Sequence, residues 1–312
     1  MLFLLVGLLG CSDKTESETS DTTESESTKA WLSADLAELS SGECPDMSNS
    51  GDSVIFTSSG EQRTVTVVSP ADPQPGMGII FWYHGFLDAS MSDVTGQTAT
   101  GMGFQQLANQ TNSLIILPQS GIWNLLGLYE VYMWNVEDGT FASDLALYDD
   151  LRTCAANNFD VNLDKLTVGG FSGGSLFLTV LLSQRGDTLS AVSVISGGAD
   201  IEVDILGLFE EPLSPYETPS HKMPILLVSG QEQDVWPDPS FTIIDFYSST
   251  DHLEAQVRSD GHPTVRCLHD RDHFSPPNWA YDLALDWLTL HDYGVESPLI
   301  GNIDAYSEWC VE

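Results

Sequence analysis

Between Lys165 and Gln184 the chain passes from the apolar stretch Leu166-Thr167-Val168-Gly169-Gly170, through Phe171-Ser172-Gly173-Gly174, into the run SLFLTVLLS. The first part reads as a strand and the last as a helix, joined with almost no loop. A turn this tight brings the residues two positions either side of its apex against the neighbouring strand and helix. Gly170 and Gly174 therefore flank Ser172 at the spacing that leaves no side chain there. The same turn lifts the Ser172 hydroxyl above the strand ends and sets it at the positive end of a helix. A chain carrying it is committed to layered strands and helices, and Ser172 is its candidate nucleophile.

The rest of the pattern alternates in the same way. Arg63 to Ser69 alternates as an edge or antiparallel strand. Gly78 to Tyr83 (GIIFWY) and Leu114 to Leu117 (LIIL) are continuous apolar runs, as strands buried on both faces should be. Gly103 to Gln110, Ser143 to Asn157, Gly174 to Gln184 and Trp279 to Leu290 have helical spacing. Lys165 to Gly169 and Leu189 to Ile195 read as strands, and Ile225 to Ser229 with Glu254 to Cys267 supply the last ones. Repeated βα units imply an α/β domain, with a mostly parallel sheet and helices on both faces. Functional residues are expected at the C-terminal ends of its strands. No internal repeat or second linker interrupts residues 31–312, which read as one domain.

Ahead of that domain, MLFLLVGLLG (1–10) is apolar and runs into Cys11, with no Lys or Arg before it. Ten residues are too few for a membrane-spanning helix, which takes about 20, but they match the core of a signal peptide. Leu8-Leu9-Gly10-Cys11 resembles a bacterial lipobox, in which the cysteine is lipidated and becomes the mature N-terminus. Residues 11–30 continue as a Ser/Thr/Glu tether with nothing apolar to bury. The expected location is the cell envelope, anchored by lipid at Cys11 on the outer membrane or cell surface, or the extracellular space. Lys and Arg number 10 against 46 Asp and Glu, a formal net charge of -36. Such a chain repels phosphate backbones, so nucleic acid is not an expected partner. The acidity fits either work in salty surroundings or a merely solvated surface.

A serine nucleophile needs a base, and the base needs an orienting acid. In this strand-turn-helix context both partners follow the nucleophile, acid first. Beyond ILLVS the chain reads Gly230-Gln231-Glu232-Gln233-Asp234-Val235-Trp236, and the position after a buried strand favours Asp234, with Glu232 and Asp238 as competitors. After TVRCL come His269-Asp270-Arg271-Asp272-His273-Phe274-Ser275-Pro276. His273, just before the prolines and the closing helix, suits a loop that folds back over Ser172, with His269 as the alternative. HDRDH also resembles a metal-binding stretch but lacks a second cluster to complete a shell, so no metal or organic cofactor is expected. Acyl transfer further requires two donors for an oxyanion. The N–H of Gly173 is one, and that of Phe86, in the His84-Gly85-Phe86 turn after GIIFWY, is the other. His84 is read as a brace for that turn.

On these residues the chain resembles secreted α/β-hydrolase esterases of the polyhydroxybutyrate depolymerase, feruloyl esterase and acetylxylan esterase type. The resemblance covers roughly Gly60 to Leu290. It rests on the Arg63 strand, the HGF turn, GFQQLA (103–108), the strand ending in Pro118-Gln119, DDL (149–151), GGFSGG, and the Asp234 and His273 loops. Two departures stand out: the acid loop is one residue longer, and Asp272 replaces a glycine before the histidine. The resemblance implies the α/β-hydrolase fold and a serine carboxylic ester hydrolase acting through an acyl-enzyme on extracellular polymeric or aromatic esters. A peptidase on the same scaffold and a non-catalytic binding lipoprotein are the alternatives. Of the aromatics Trp123, Tyr132, Trp134, Trp236, Phe274 and Trp279, three fall in loops on the catalytic side: Trp134, Trp236 and Phe274 are the candidates for gripping substrate.

Cys44, Cys154, Cys267 and Cys310 are even in number, and an exported chain meets an oxidising compartment. Four cysteines allow three connectivities; because the ends of a domain often approach each other, the most economical pairs Cys44 with Cys310 and Cys154 with Cys267, and the other two stay open.

Overall fold

Period-two alternation within the apolar runs assigns their side chains to two separate cores. Ile79, Phe81 and Tyr83 join one buried cluster, while Ile80 and Trp82 join another. Leu114 and Ile116 divide from Ile115 and Leu117 in the same way, as do Ile225 and Leu227 from Leu226 and Val228. A strand does this only when both its faces are covered. The computed structural model describes residues 36–125, 127, 129–203, 209, 211–303 and 308–312. The apolar leader, Cys11 and the tether lie outside the described residues.

The first half of the chain supplies β1 (Ser53–Ser58), β2 (Glu61–Val68), β3 (Met77–Tyr83), β4 (Leu87–Asp88), α1 (Val94–Gly101), α2 (Phe104–Thr111), β5 (Ser113–Pro118), β6 (Gly121–Leu125) and β7 (Tyr129–Met133). Then follow α3 (Ala142–Asn158), β8 (Val161–Phe171), α4 (Gly173–Arg185), β9 (Ala191–Ile195) and β10 (Ile225–Gly230). The last part holds β11 (Val235–Asp238), β12 (Phe241–Asp245), α5 (Phe246–Ser259), β13 (Thr264–His269), α6 (Asn278–Thr289) and β14 (Cys310–Val311). Nine strands form one sheet in the order β1-β2-β5-β3-β8-β9-β10-β13-β14, parallel from β5 to β13 and antiparallel at both margins. This is the α/β-hydrolase fold.

Helices α3, α4 and α5 cover one face and α2 and α6 the other, each sealing one of the two clusters. Helix α4 is buried from Gly174 to Leu182, which is why its sequence is apolar almost all round. The chain leaves β3 in one direction to reach β5 and returns on the other side through β8. The crevice outside the C-terminal ends of β3 and β8 is therefore the switch point where an open α/β sheet receives its ligand. Ser172 directly follows β8, and His84-Gly85-Phe86 directly follow β3.

Two expectations are corrected. Glu254 belongs to α5, and the strand begins only at Thr264. Leu253 and Val257 are spaced four apart and both fully buried, a helical face that overrides the strand reading of this stretch. The disulfides join Cys44 to Cys154 and Cys267 to Cys310. The sheet forbids the expected pairs: Cys154, on α3, belongs to one core, and Cys267, on β13, points into the other. Cys310 lies opposite Cys267 in the β13–β14 ladder. Cys44 is drawn to α3 by the segment around it, where Ser40 N–H donates to Asp150 Oδ1 (2.8 Å) and Thr153 Oγ1 to the Ala37 carbonyl (2.9 Å). The hairpin β11–β12 and the small sheet β4-β7-β6 stand outside the main sheet, and their short, mixed-polarity strands gave no periodic signal.

Candidate active site

The strand-turn-helix at Ser172 has the geometry its glycines require. Ser172 has φ 55° and ψ -123°, a backbone conformation that costs a non-glycine residue free energy and is found at functional sites. A Cβ on Gly174 would stand 2.2 Å from the Tyr83 carbonyl oxygen, so no other residue fits there. Ser175 clips the turn to β9: its hydroxyl donates to the Gly170 carbonyl (2.7 Å) and accepts the Ile195 N–H (3.0 Å). The Ser172 N–H reaches the Ile195 carbonyl at 3.0 Å.

Three of the sequence candidates meet. Ser172 Oγ lies 2.8 Å from His273 Nε2, and His273 Nδ1 lies 2.8 Å from Asp234 Oδ1. All three side chains are buried. Because an ionised carboxylate only accepts, Nδ1 carries the proton and Nε2 is left to accept from the serine hydroxyl. The acid loop forms a turn closed by Asp234 N–H to the Gln231 carbonyl (2.8 Å), and the Asp234 carbonyl takes the Phe246 N–H at the start of α5 (2.9 Å). The loop tip, Gln231 to Gln233, is exposed, so Glu232 faces solvent while Asp234 points inward. Asp238 is likewise exposed and serves Ser240.

The imidazole of His273 is held flat between two rings. Phe246 stacks at 4.2 Å between centroids and 5° between planes, and Phe171 covers the other face at 5.1 Å and 21°. Asp272 orders the loop by accepting the Phe274 N–H (3.1 Å) and the Ser275 hydroxyl (2.7 Å). His269 is buried elsewhere; its Nδ1 accepts the Arg271 N–H (3.2 Å), and burial lowers its pKa in spite of the nearby Asp234 charge. The residues of HDRDH thus diverge, and among the described residues no group of three or more His, Cys, Asp or Glu side chains could hold a metal ion.

Beside the serine, the turn after β3 packs directly onto the turn after β8. A Cβ on Gly85 would lie 3.1 Å from Ser172 Cβ, and one on Gly173 would lie 3.3 Å from Phe86 N. Neither the Gly173 nor the Phe86 N–H is spent on a protein acceptor among the described residues. His84 fixes this turn: Nδ1–H donates to the Gly85 carbonyl (2.6 Å), and Nε2 accepts the Ser120 N–H (3.1 Å). The Gly85 carbonyl and the Phe86 N–H belong to one planar peptide, so holding the first aims the second. Burial, opposed by the bond to Gly85, lowers the His84 pKa to about 4, so the ring is neutral at pH 7.

A cavity of about 130 Å³ opens at Ser172 and Gly173. Apart from Ser172 its lining is apolar, with Phe86, Trp134, Leu176, Leu213, Trp236 and Phe246 among the walls. Trp134 is fully buried, anchored by Nε1–H to the His84 carbonyl (2.9 Å). Trp236, on β11, meets the Phe86 ring at 5.1 Å. Phe274 does not line the cavity; it is 67% exposed and lies edge-on to His273 at 5.4 Å. Of the other aromatics, Tyr132 packs edge-on to His84 and Trp279 stacks on Trp309.

Sequence reasoning passed over Ser196, whose hydroxyl donates to Asp234 Oδ2 at 2.8 Å, and the ring pair Phe171 and Phe246. For Ser196 a signal existed: a polar residue directly beyond the buried run AVSVI, the same criterion that singled out Asp234. Leu176, one turn into α4, lies where any residue following Ser172 by a helical turn must face the cavity. Ile244, on β12, and Phe246, which opens α5, carry no such signal, because the hairpin that leads to them has no sequence periodicity.

No protein-family model matches the sequence, and no curated protein does. Solved structures do match by shape. Native sOPH superposes with a TM-score of 0.60 at 16% identity, over 82% of this chain and 94% of that one. An S-formylglutathione hydrolase from Agrobacterium tumefaciens matches with a TM-score of 0.55 at 12% identity, over 75% and 91% of the two chains. A ferulic acid esterase matches with a TM-score of 0.55 at 14% identity, over 76% and 95%. At these identities the likeness establishes a shared fold.

Proposed function

We propose that the protein is a serine carboxylic ester hydrolase. The observation that carries this reading is the continuous chain of hydrogen bonds from Ser172 through His273 to Asp234, at the switch point of an α/β-hydrolase sheet and at the mouth of an apolar cavity. In this reading Ser172 Oγ attacks the ester carbonyl as His273 Nε2 takes its proton. The carbonyl oxygen becomes an oxyanion held by the N–H groups of Gly173 and Phe86. The C–O bond to the alcohol then breaks and the alcohol oxygen takes the proton from Nε2, leaving an acyl-enzyme. Water, deprotonated by the same nitrogen, attacks the acyl carbonyl, and the acid leaves as Ser172 recovers its proton. Asp234 keeps Nδ1 protonated throughout and stabilises the transient imidazolium.

The cavity supports a neutral acyl group. It is close in size to an engineered cavity of about 150 Å³ that admits benzene, which fits a short aliphatic or single-ring acyl group and leaves the alcohol on the open side. That suits the acyl part of an extracellular polymeric or aromatic ester, and a ferulic acid esterase is among the proteins of similar fold. Export is supported by two disulfides, which persist in oxidising compartments, and by the leader ending at Cys11. Cys11→Ala should release the protein from the membrane fraction; unchanged retention would remove the lipid anchor from the reading. A series of p-nitrophenyl esters of increasing acyl length tests the activity: hydrolysis should be fastest for short acyl groups and fall for chains longer than the cavity. Absence of hydrolysis across the series would overturn it.

A further inference from the structure

The Asp234 carboxylate has two oxygens with two different duties. Oδ1 faces His273 Nδ1–H, whereas Oδ2 receives the Gly230 N–H (2.7 Å) and the Ser196 hydroxyl (2.8 Å). Ser196 is fully buried and stands directly after β9. Its φ is 50°, in the left-handed region where a non-glycine side chain is strained. The next two residues are Gly197 and Gly198, so this stretch already uses glycine freely. Glycine at 196 would relieve the strain; what only the serine supplies is a hydroxyl directed at Asp234. The backbone agrees with this placement: the Ser196 N–H donates to the Val228 carbonyl (2.8 Å) on β10, the strand whose end delivers Asp234.

We propose, resting on the hydrolase reading above, that Ser196 is a positioning residue of the reaction: its hydroxyl turns the Asp234 carboxylate so that Oδ1 meets His273, and draws charge toward Oδ2. Hydrogen bonds to a carboxylate are among the stronger ones in proteins, because the acceptor is charged. Without the hydroxyl, Oδ2 keeps only the Gly230 N–H and the carboxylate is free to rotate about its Cβ–Cγ bond. More of its charge then falls on Oδ1, which holds an imidazolium more firmly. The titratable groups around the carboxylate are His273 and His269, with Arg266 and Asp270 beyond His269; besides Ser172, the imidazole meets Phe246 from α5 and Phe171 from the end of β8.

Ser196→Gly is the discriminating variant, because it removes the hydroxyl and the strain together. Its melting temperature should stay above that of Ser196→Ala, while kcat falls about tenfold with KM unchanged, and the acidic limb of the kcat/KM profile moves to higher pH. Ser196→Ala should show the same kinetic change without the gain from strain relief. A Ser196→Gly enzyme with parental kcat and an unmoved acidic limb would overturn the assignment. So would loss of folding in both variants, which would make the hydroxyl structural. The low-field proton resonance of His273 Nδ1–H gives a readout independent of turnover: it should broaden or shift in Ser196→Gly, and an unchanged resonance would refute the positioning role. If the parent hydrolyses no ester, the hydrolase reading fails, and the resonance still decides the role of Ser196.

Discussion

Replacing His84 with glutamine should flatten the acid side of the protein's stability curve. In the folded state His84 is 5% exposed, and its Nε2 accepts the Ser120 N–H, which only the neutral ring can do. A proton added at Nε2 would face the Ser120 N–H, donor against donor. Burial is the larger cause of the lowered pKa, about 4 against 6.5 for an exposed histidine. The sign follows directly. The unfolded chain takes up a proton as pH falls through 6.5, but the folded chain resists until about 4. The contribution is therefore complete above pH 6.5 and is lost as pH falls through that window. At about 1.4 kcal/mol per pH unit, the gap amounts to about 3 kcal/mol. His221, His262, His269 and His291 are also shifted down by burial and add to the same slope, so the parent protein alone does not isolate His84. Urea unfolding of parent and His84→Gln, each above pH 6.5 and near pH 4, does. The parent should lose up to about 3 kcal/mol more than the variant on acidification. Equal losses in the two proteins would refute the argument that burial of this ring, with the Ser120 N–H on its Nε2, keeps it neutral.

The acid assignment and the crosslinks make further predictions. Asp234→Asn should lower turnover by about 10⁴ by favouring the wrong histidine tautomer, while Glu232→Gln, at the exposed loop tip, should be nearly silent; the reverse result would move the acid. Peptide mapping without reduction should find Cys44 joined to Cys154 and Cys267 to Cys310, and a peptide joining Cys44 to Cys310 would contradict the strand placement. The bonds close separations of 110 and 43 residues, worth about 5 and 4 kcal/mol in the chain-entropy model. Reduction should accordingly lower the melting temperature far more than activity measured in the cold, and equal losses of both would show that a crosslink shapes the site.

How far the sequence could be read depended on how local each signal was. GGFSGG carries its own geometry, since a strand turned this tightly into a helix leaves no room for a side chain two residues either side of Ser172. The buried runs GIIFWY and ILLVS place the residues that follow them, which is how Phe86, Asp234 and, had the rule been applied throughout, Ser196 become legible. The disulfides were misread because their pairing depends on which side of the sheet each cysteine faces. Cys154 and Cys267 are separated by a layer of strands. Glu254 was drawn into a strand because the helical spacing of Leu253 and Val257 is short and runs on into TVRCL. The cavity was the least legible part. Trp134 and Trp236 line it, but Ile244 reaches it from the β11–β12 hairpin and Phe246 from the start of α5 directly after it, and the position of that hairpin follows from tertiary packing alone.

Covalent labelling with a fluorophosphonate, followed by peptide mapping of the folded protein, tests most directly whether Ser172 is an activated nucleophile. One adduct per chain should form on Ser172, disappear in Ser172→Ala, and form far more slowly in His273→Ala. A folded protein that takes no label, or takes it on a different serine, would contradict the account.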